Sequence, residues 1–285
     1  MAEAEGVGKA VVVTGASRGL GRSIAMDLSA RGFRVFAGVR KAADADRFRE
    51  ENLEQLRPIM LDVTDAGTIE SAAEEVAGAT GERGIFGLVN NAGIIGVYGP
   101  VEQISMAAVE EILRVNLVGA MAVTQRFLPQ LREGKGRIVN ISTTGKISFP
   151  FASVYCASKF GLEAVSDALR VELNPWGIPV SIVQPGLTDT EIRRVAMQRW
   201  GEQRGGLSAD ERELYEDKYE KLQSVIERLE ETAAGHEYVT EAVLHALTAQ
   251  SPKTRYGAGP DWEQWATLIA LPDDERDEVI LKMFE

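Results

Sequence analysis

Cysteine is nearly absent from this chain: Cys156 is the only one among 285 residues. No internal disulfide is possible, and the chain suits a reducing compartment. Histidine is almost as scarce. His236 and His245 have no cysteine or paired carboxylate at metal-ligand spacing, so no metal is expected. Basic charge is in deficit, with 31 Lys and Arg against 43 Asp and Glu and a net charge of −12. That balance speaks against non-specific binding to nucleic acid or to an anionic membrane. Long apolar runs are missing as well. No stretch could span a bilayer, and residues 1–8 lack the basic and apolar regions of a signal peptide. A cytoplasmic protein is expected. There is no internal repeat and no low-complexity block.

What is present has ordinary globular composition, with 45% hydrophobic residues. The length fits one large α/β domain, expected over residues 1–285. Residues 9–14 form a short β-branched run that reads as a buried strand. It feeds Gly15-Ala16-Ser17-Arg18-Gly19-Leu20-Gly21, and a helical pattern follows over residues 22–31. Strand, glycine turn and helix make a dinucleotide site. The glycines allow a tight turn and close backbone approach to a pyrophosphate, and the helix N-terminus offers unpaired N–H groups. The spacing is Gly-x-x-x-Gly-x-Gly, which departs from the general fingerprint.

The second strand, residues 33–39, ends at Val39-Arg40-Lys41. An NAD site usually places an acid there for the ribose hydroxyls. Arg40, with Arg18 in the glycine turn, could instead meet a 2′-phosphate. NADP is therefore expected over NAD. A third strand ends at Asp62-Val63, where a carboxylate and a backbone amide could face the adenine. The fourth runs into Asn90-Asn91-Ala92-Gly93, a turn suited to backing onto a cofactor. Ser105 is expected to cap a long helix to about residue 131. Asn116 lies in its middle, as a satisfied buried amide or a local opening that holds water.

The fifth strand, residues 137–141, ends at Ser142. Thirteen residues on comes Tyr155, followed four later by Lys159. On a helix these two share a face. A nearby lysine and a cationic cofactor ring would lower the tyrosine pKa and make the phenol a usable acid and base. Ser142 could converge with Tyr155 on one substrate oxygen, although Thr143 and Thr144 are adjacent hydroxyls. A sixth strand ends at Pro185-Gly186, and Thr188 beyond it can bond a carboxamide. Residues 188–237 are polar and charged, with Tyr215, Tyr219, Leu222, Ile226 and Leu229 at helical spacing. They are expected to form a helical lid over the substrate. Phe149, Phe151, Met197 and Trp200 are candidate pocket walls.

In this order and spacing, Thr14-Gly15-x-x-x-Gly19-x-Gly21, Asn90-Asn91-Ala92-Gly93, Asn116, Ser142, Tyr155-x-x-x-Lys159 and Pro185-Gly186 resemble the short-chain dehydrogenase/reductase family. Phe36-Ala37-Gly38-Val39-Arg40 and Pro252-Lys253-Thr254-Arg255-Tyr256 look like its retinol and 17β-hydroxysteroid dehydrogenase branch. The resemblance implies a doubly wound parallel sheet of about seven strands and a homodimer or homotetramer. It implies that Tyr155 is the general acid or base, and that Lys159 holds the nicotinamide ribose and lowers the Tyr155 pKa. It also implies that Ser142 bonds the substrate oxygen and Asn116 holds a relay water. The cofactor-binding set is then Gly15, Ser17, Arg18, Gly19, Leu20, Gly21, Arg40, Asp62, Val63, Asn90, Ala92, Gly93, Tyr155, Lys159, Pro185, Gly186 and Thr188. The expected activity is hydride exchange between NADP, or NAD, and an apolar secondary alcohol or ketone, or a primary alcohol or aldehyde, such as a steroid, retinoid or terpenoid. Two other readings suit the fold. One is a nucleotide sensor without turnover, which need not keep the four-residue set. The other is an epimerase or dehydratase, disfavoured by the short chain after the sheet.

Overall fold

The structure, a computed structural model, describes residues 6–144 and 147–283. Seven parallel strands form one sheet in the order β3-β2-β1-β4-β5-β6-β7. They are β1 (Ala10–Val13), β2 (Arg34–Val39), β3 (Leu56–Met60), β4 (Gly87–Asn90), β5 (Arg137–Ile141), β6 (Val180–Pro185) and β7 (Arg255–Ala258). The strand order reverses between β1 and β4, which opens a crevice at the carboxyl ends of the strands.

The strands are apolar on both faces because helices cover both. Alternate residues of β1 divide between two cores. Val11 and Val13 pack with Ile24 and Leu28 of α1 (Gly19–Ala30) and Val243 and Leu247 of α10 (Glu237–Thr248). Ala10 and Val12 pack with Ala73 and Val76 of α3 (Ala66–Thr80) and Val123 and Phe127 of α5 (Gly119–Glu133). This side-to-side alternation along a strand decides the site below. α2 (Ala42–Glu50) adds Phe48 to the first core.

The long helix expected from Ser105 to about residue 131 is interrupted. Ser105 caps α4 (Met106–Leu113), a π-helical turn occupies Arg114–Val118, and α5 begins at Gly119. The wide turn surrounds Asn116, whose amide is engaged outside the helix. α6 (Ser153–Glu172) starts early enough to carry both Tyr155 and Lys159. The charged stretch after β6 folds into α7 (Glu191–Gly205), α8 (Ala209–Glu213) and α9 (Glu216–Glu231). Its apolar stripe is buried: Ala196, Trp200, Tyr219, Leu222 and Ile226 form a separate core with Ile95, Val97 and Phe151. α11 (Trp262–Ala270) and α12 (Asp273–Met283) follow β7 and pack Trp265, Leu268 and Ile280 against Ile147. Among the described residues no helix is long and apolar enough to cross a membrane.

Candidate active site

The glycine turn lies at the strand-order reversal. Gly15 has φ of 64°, and a Cβ there would stand 2.8 Å from the Ala92 Cα. A Cβ on Gly21 would stand 2.2 Å from the Gly15 carbonyl oxygen. No side chain larger than hydrogen fits at either position without moving backbone. Arg18 precedes α1 and offers no side-chain cap, so the first-turn amides stay open towards the crevice. The turn is tied to its neighbour by Thr14 and Asn91. The Thr14 hydroxyl accepts from the amides of Asn91 and Ala92, both at 3.0 Å. The Asn91 side chain donates to the carbonyls of Thr14 at 3.0 Å and Gly15 at 3.2 Å. Open helix amides beside a cradle that a Cβ would fill suit a diphosphate.

Most of the expected cofactor residues line one crevice of about 350 Å³, a size suited to small molecules. Gly15, Ser17, Arg18, Gly19, Leu20, Gly21, Arg40, Asp62, Val63, Ala92, Gly93, Tyr155, Lys159, Pro185, Gly186 and Thr188 all border it. Asn90 is the exception. Its side chain is buried and donates to Thr124 Oγ1 and Asn140 Oδ1, each at 2.9 Å. As the last residue of β4 it shares the Leu88 side of the sheet, behind the crevice. The amide at the crevice belongs to Asn91.

Arg40 stands exposed at the end of β2, and the strand offers Val39 where an acid would compete. Arg18 makes a rim ion pair with Glu191 at 3.2 Å. The Asp62 carboxylate accepts from the Thr64 amide and hydroxyl, closing a tight turn at the crevice.

Asn116 is a satisfied buried amide. It accepts from the Ile94 amide and donates to the Ile94 carbonyl, both at 2.8 Å, and donates to Ser158 Oγ at 2.9 Å. It thereby braces the turn after β4 against α6. Lys159 is buried, and its ammonium donates to the Ile141 carbonyl at 2.8 Å. A Cβ on Gly93 would lie 3.2 Å from that Nζ, so glycine leaves the ammonium its room.

The two hydroxyls at the end of β5, Ser142 and Thr143, have different partners. Ser142 borders the crevice but is itself buried, and its Oγ donates to Glu163 Oε1 at 2.9 Å. Glu163 also accepts from Gln184 at 2.8 Å and from Arg255 at 3.3 Å. Ser142 belongs to that buried network. It continues the β5 alternation on the side of Asn140, facing α6. Thr143 borders the crevice with Tyr155, and its hydroxyl acts downward on the phenol pKa.

Burial dominates the protonation of the pair. Burial pushes Tyr155 up to about 12, against the Thr143 hydrogen bond and the Arg193 charge, which act downward. Lys159 is not among the groups that move it. Burial lowers Lys159 to about 8. Burial thus favours a protonated phenol, and the positive ring of an oxidised cofactor would act in the opposite sense.

Of the expected walls, Phe149 borders the crevice, whereas Phe151, Met197 and Trp200 belong to the core beneath α7 and α9. Tyr98, Ile192, Leu222 and Ile226 border the crevice in their place. The turn after β6 is fastened from far along the chain. Asp261 Oδ2 accepts from the Leu187 amide at 2.9 Å and from Trp265 Nε1 at 2.5 Å. A Cβ on Gly186 would stand 2.1 Å from Asp261 Oδ1.

The family model for short chain dehydrogenase matches residues 9–199, the sheet and the crevice together. The chain belongs to the short-chain dehydrogenase family. It is similar to the 17-beta-hydroxysteroid dehydrogenase type 6 of Bos taurus, at 39% identity over 282 residues, covering 96% of this chain and 88% of that one. It is also similar to the mitochondrial D-beta-hydroxybutyrate dehydrogenase of Rattus norvegicus, at 40% identity over 264 residues, covering 87% and 76%. A short-chain dehydrogenase crystal structure from Streptomyces avermitilis matches with a TM-score of 0.74 and 28% identity, covering 95% of this chain and 94% of that one. As a short-chain dehydrogenase the protein is an oxidoreductase that moves a hydride between a nicotinamide dinucleotide and an alcohol or carbonyl carbon.

Proposed function

We propose that this short-chain dehydrogenase is an NADP-preferring alcohol dehydrogenase or carbonyl reductase with Tyr155 as its acid and base. The observation that carries the reading is the Tyr155 phenol in one crevice with Thr143, with the open amides of α1 and with Lys159. When bound, the dinucleotide supplies the nicotinamide carbon that gives or takes the hydride. In reduction Tyr155 donates its proton to the substrate oxygen, and in oxidation it accepts the hydroxyl proton. Thr143 takes the role expected of Ser142 and bonds that same oxygen. Lys159 holds the ribose hydroxyls, and Asn116 keeps the turn at Ile94 in place.

Arg40, exposed and without an acid at Val39, supports a preference for the 2′-phosphate of NADP. The segment 188–237 serves as the substrate lid, which its apolar lining Ile192, Leu222 and Ile226 supports. The two relatives are named for a hydroxysteroid and a hydroxy acid, which bracket the substrate between a large apolar alcohol and a short anionic one.

Replacing Tyr155 with phenylalanine is expected to lower kcat/KM by roughly 10²–10⁴-fold, the usual contribution of general acid–base catalysis. Cofactor binding, followed by fluorescence of the reduced dinucleotide, should stay close to that of the unmodified protein. Near-normal turnover by the variant contradicts the assignment.

A further inference from the structure

The crevice contains a cation that the chemistry above does not use. Arg193, in the first turn of α7, borders the same cavity as Tyr155 and Thr143. Its Nη2 donates to the Thr188 carbonyl at 2.8 Å. Its Nε is buried without a hydrogen-bond partner. Among the described residues no carboxylate lies within ion-pair distance of it. The other crevice arginines are placed differently: Arg18 pairs with Glu191, Arg199 pairs with Glu111, and Arg40 is exposed at the end of β2.

A guanidinium keeps its charge at every pH the fold survives, and it carries five N–H donors in a fixed fork. A buried donor without an acceptor is unfavourable, and a planar carboxylate is the acceptor that best matches the fork. The position of the charge is also informative. Burial pushes the phenols of Tyr98 and Tyr155 up, and the Arg193 charge acts downward on both. Arg193 lines the cavity together with Tyr98, Thr143 and Tyr155.

We propose that Arg193 is the specificity-determining residue for a carboxylate on the substrate. The substrate is then a hydroxy acid or its oxo acid, with the acid group a few bonds from the carbinol carbon. Its apolar remainder lies against Ile95, Ile192, Leu222 and Ile226. This rests on the dehydrogenase reading above. In oxidation the carbinol C–H bond breaks with its electron pair passing to the oxidised nicotinamide. The O–H proton passes to Tyr155 and the C=O bond forms, while the carboxylate on Arg193 is unchanged.

The test uses a matched pair, a medium-chain β-hydroxyalkanoate and its methyl ester, with cofactor reduction followed by absorbance. The unmodified enzyme should prefer the acid. Arg193→Gln should lower kcat/KM for the acid by about 30-fold, mainly through KM, and change the ester by less than about threefold. Arg193→Lys should recover part of the acid's rate. An equal loss on acid and ester, or a loss confined to the cofactor KM, overturns the assignment. So does an unmodified enzyme with no preference for the acid, a result that needs no variant to fold.

A second readout separates this assignment from the dehydrogenase reading. The cofactor-saturated protein is titrated with a medium-chain alkanoate and with its neutral amide, by thermal shift. Stabilisation by the alkanoate alone, lost in Arg193→Gln, upholds the carboxylate site even if no alcohol is turned over. Turnover of neutral alcohols without stabilisation by the alkanoate leaves the dehydrogenase reading standing and removes the carboxylate site.

Discussion

Replacing Lys159 with methionine is expected to stabilise the protein while disabling it. The lysine is 4% exposed, and burial brings its pKa to about 8 from an ordinary 10.5. A depression of that size corresponds to about 3 kcal/mol against the charged form in the folded state. Near neutral pH, below both values, the lysine is charged in the folded protein and in the unfolded chain, so the whole penalty is present. Between about 8 and 10.5 the folded protein has released the proton and the unfolded chain still holds it, so stability rises with pH. Above that window both forms are neutral and the penalty is gone. Methionine matches the lysine stem and removes the charge at every pH. It also removes the 2.8 Å bond to the Ile141 carbonyl, worth roughly 1 kcal/mol. The net gain near neutral pH is therefore about 2 kcal/mol. Urea unfolding of the protein without nucleotide, at about pH 7 and about pH 10, measures it through the midpoint at constant slope. The variant should lead at the lower pH, and the lead should shrink or reverse at the higher. A variant less stable at neutral pH, or a difference independent of pH, refutes the view that burial sets this lysine.

Two further perturbations separate neighbours that the sequence does not distinguish. Ser142→Ala should leave kcat/KM within about threefold and lower stability by about 1–3 kcal/mol, because buried Glu163 loses a donor. Thr143→Ala should lose roughly tenfold to a hundredfold in kcat/KM, with Thr143→Ser retaining most of it. The opposite pattern in steady-state kinetics returns the substrate contact to Ser142. Arg40→Asp should move the ratio of kcat/KM for NADP over NAD towards NAD by at least about tenfold. An unchanged ratio removes Arg40 from the phosphate site.

The sheet was legible because its strands are short β-branched runs between turn signals, and the glycine turn because few residues fit its backbone. The parts that were not legible share a cause. Asn90 and Asn91 are adjacent, and so are Ser142 and Thr143. At the end of a strand, one residue of parity decides which side chain faces the crevice and which faces the helices behind it. The partners that settle the matter, Thr124 and Asn140 for Asn90 and Glu163 for Ser142, become neighbours only in the fold. Desolvation is equally invisible along the chain. The spacing of Tyr155 and Lys159 suggests a lysine that lowers the phenol pKa, but burial raises the phenol and lowers the lysine. Phe151, Met197 and Trp200 were attractive as walls because they are apolar and near the motif. They instead hold α7 and α9 down on the loop after β4. Arg193 gave no sequence signal, being one arginine in a charged stretch.

Asp261 ties the two ends of the crevice to different parts of the chain. The glycine turn and its partners Thr14 and Asn91 all lie within the first third of the chain. The turn after β6 is fastened by a residue 74 positions beyond Leu187. The edge strand β7, and the helix that starts at Trp262, must both be in place before that turn is held. The substrate end of the crevice therefore depends on contacts made by the last part of the chain, whereas the glycine turn is tied within the first third.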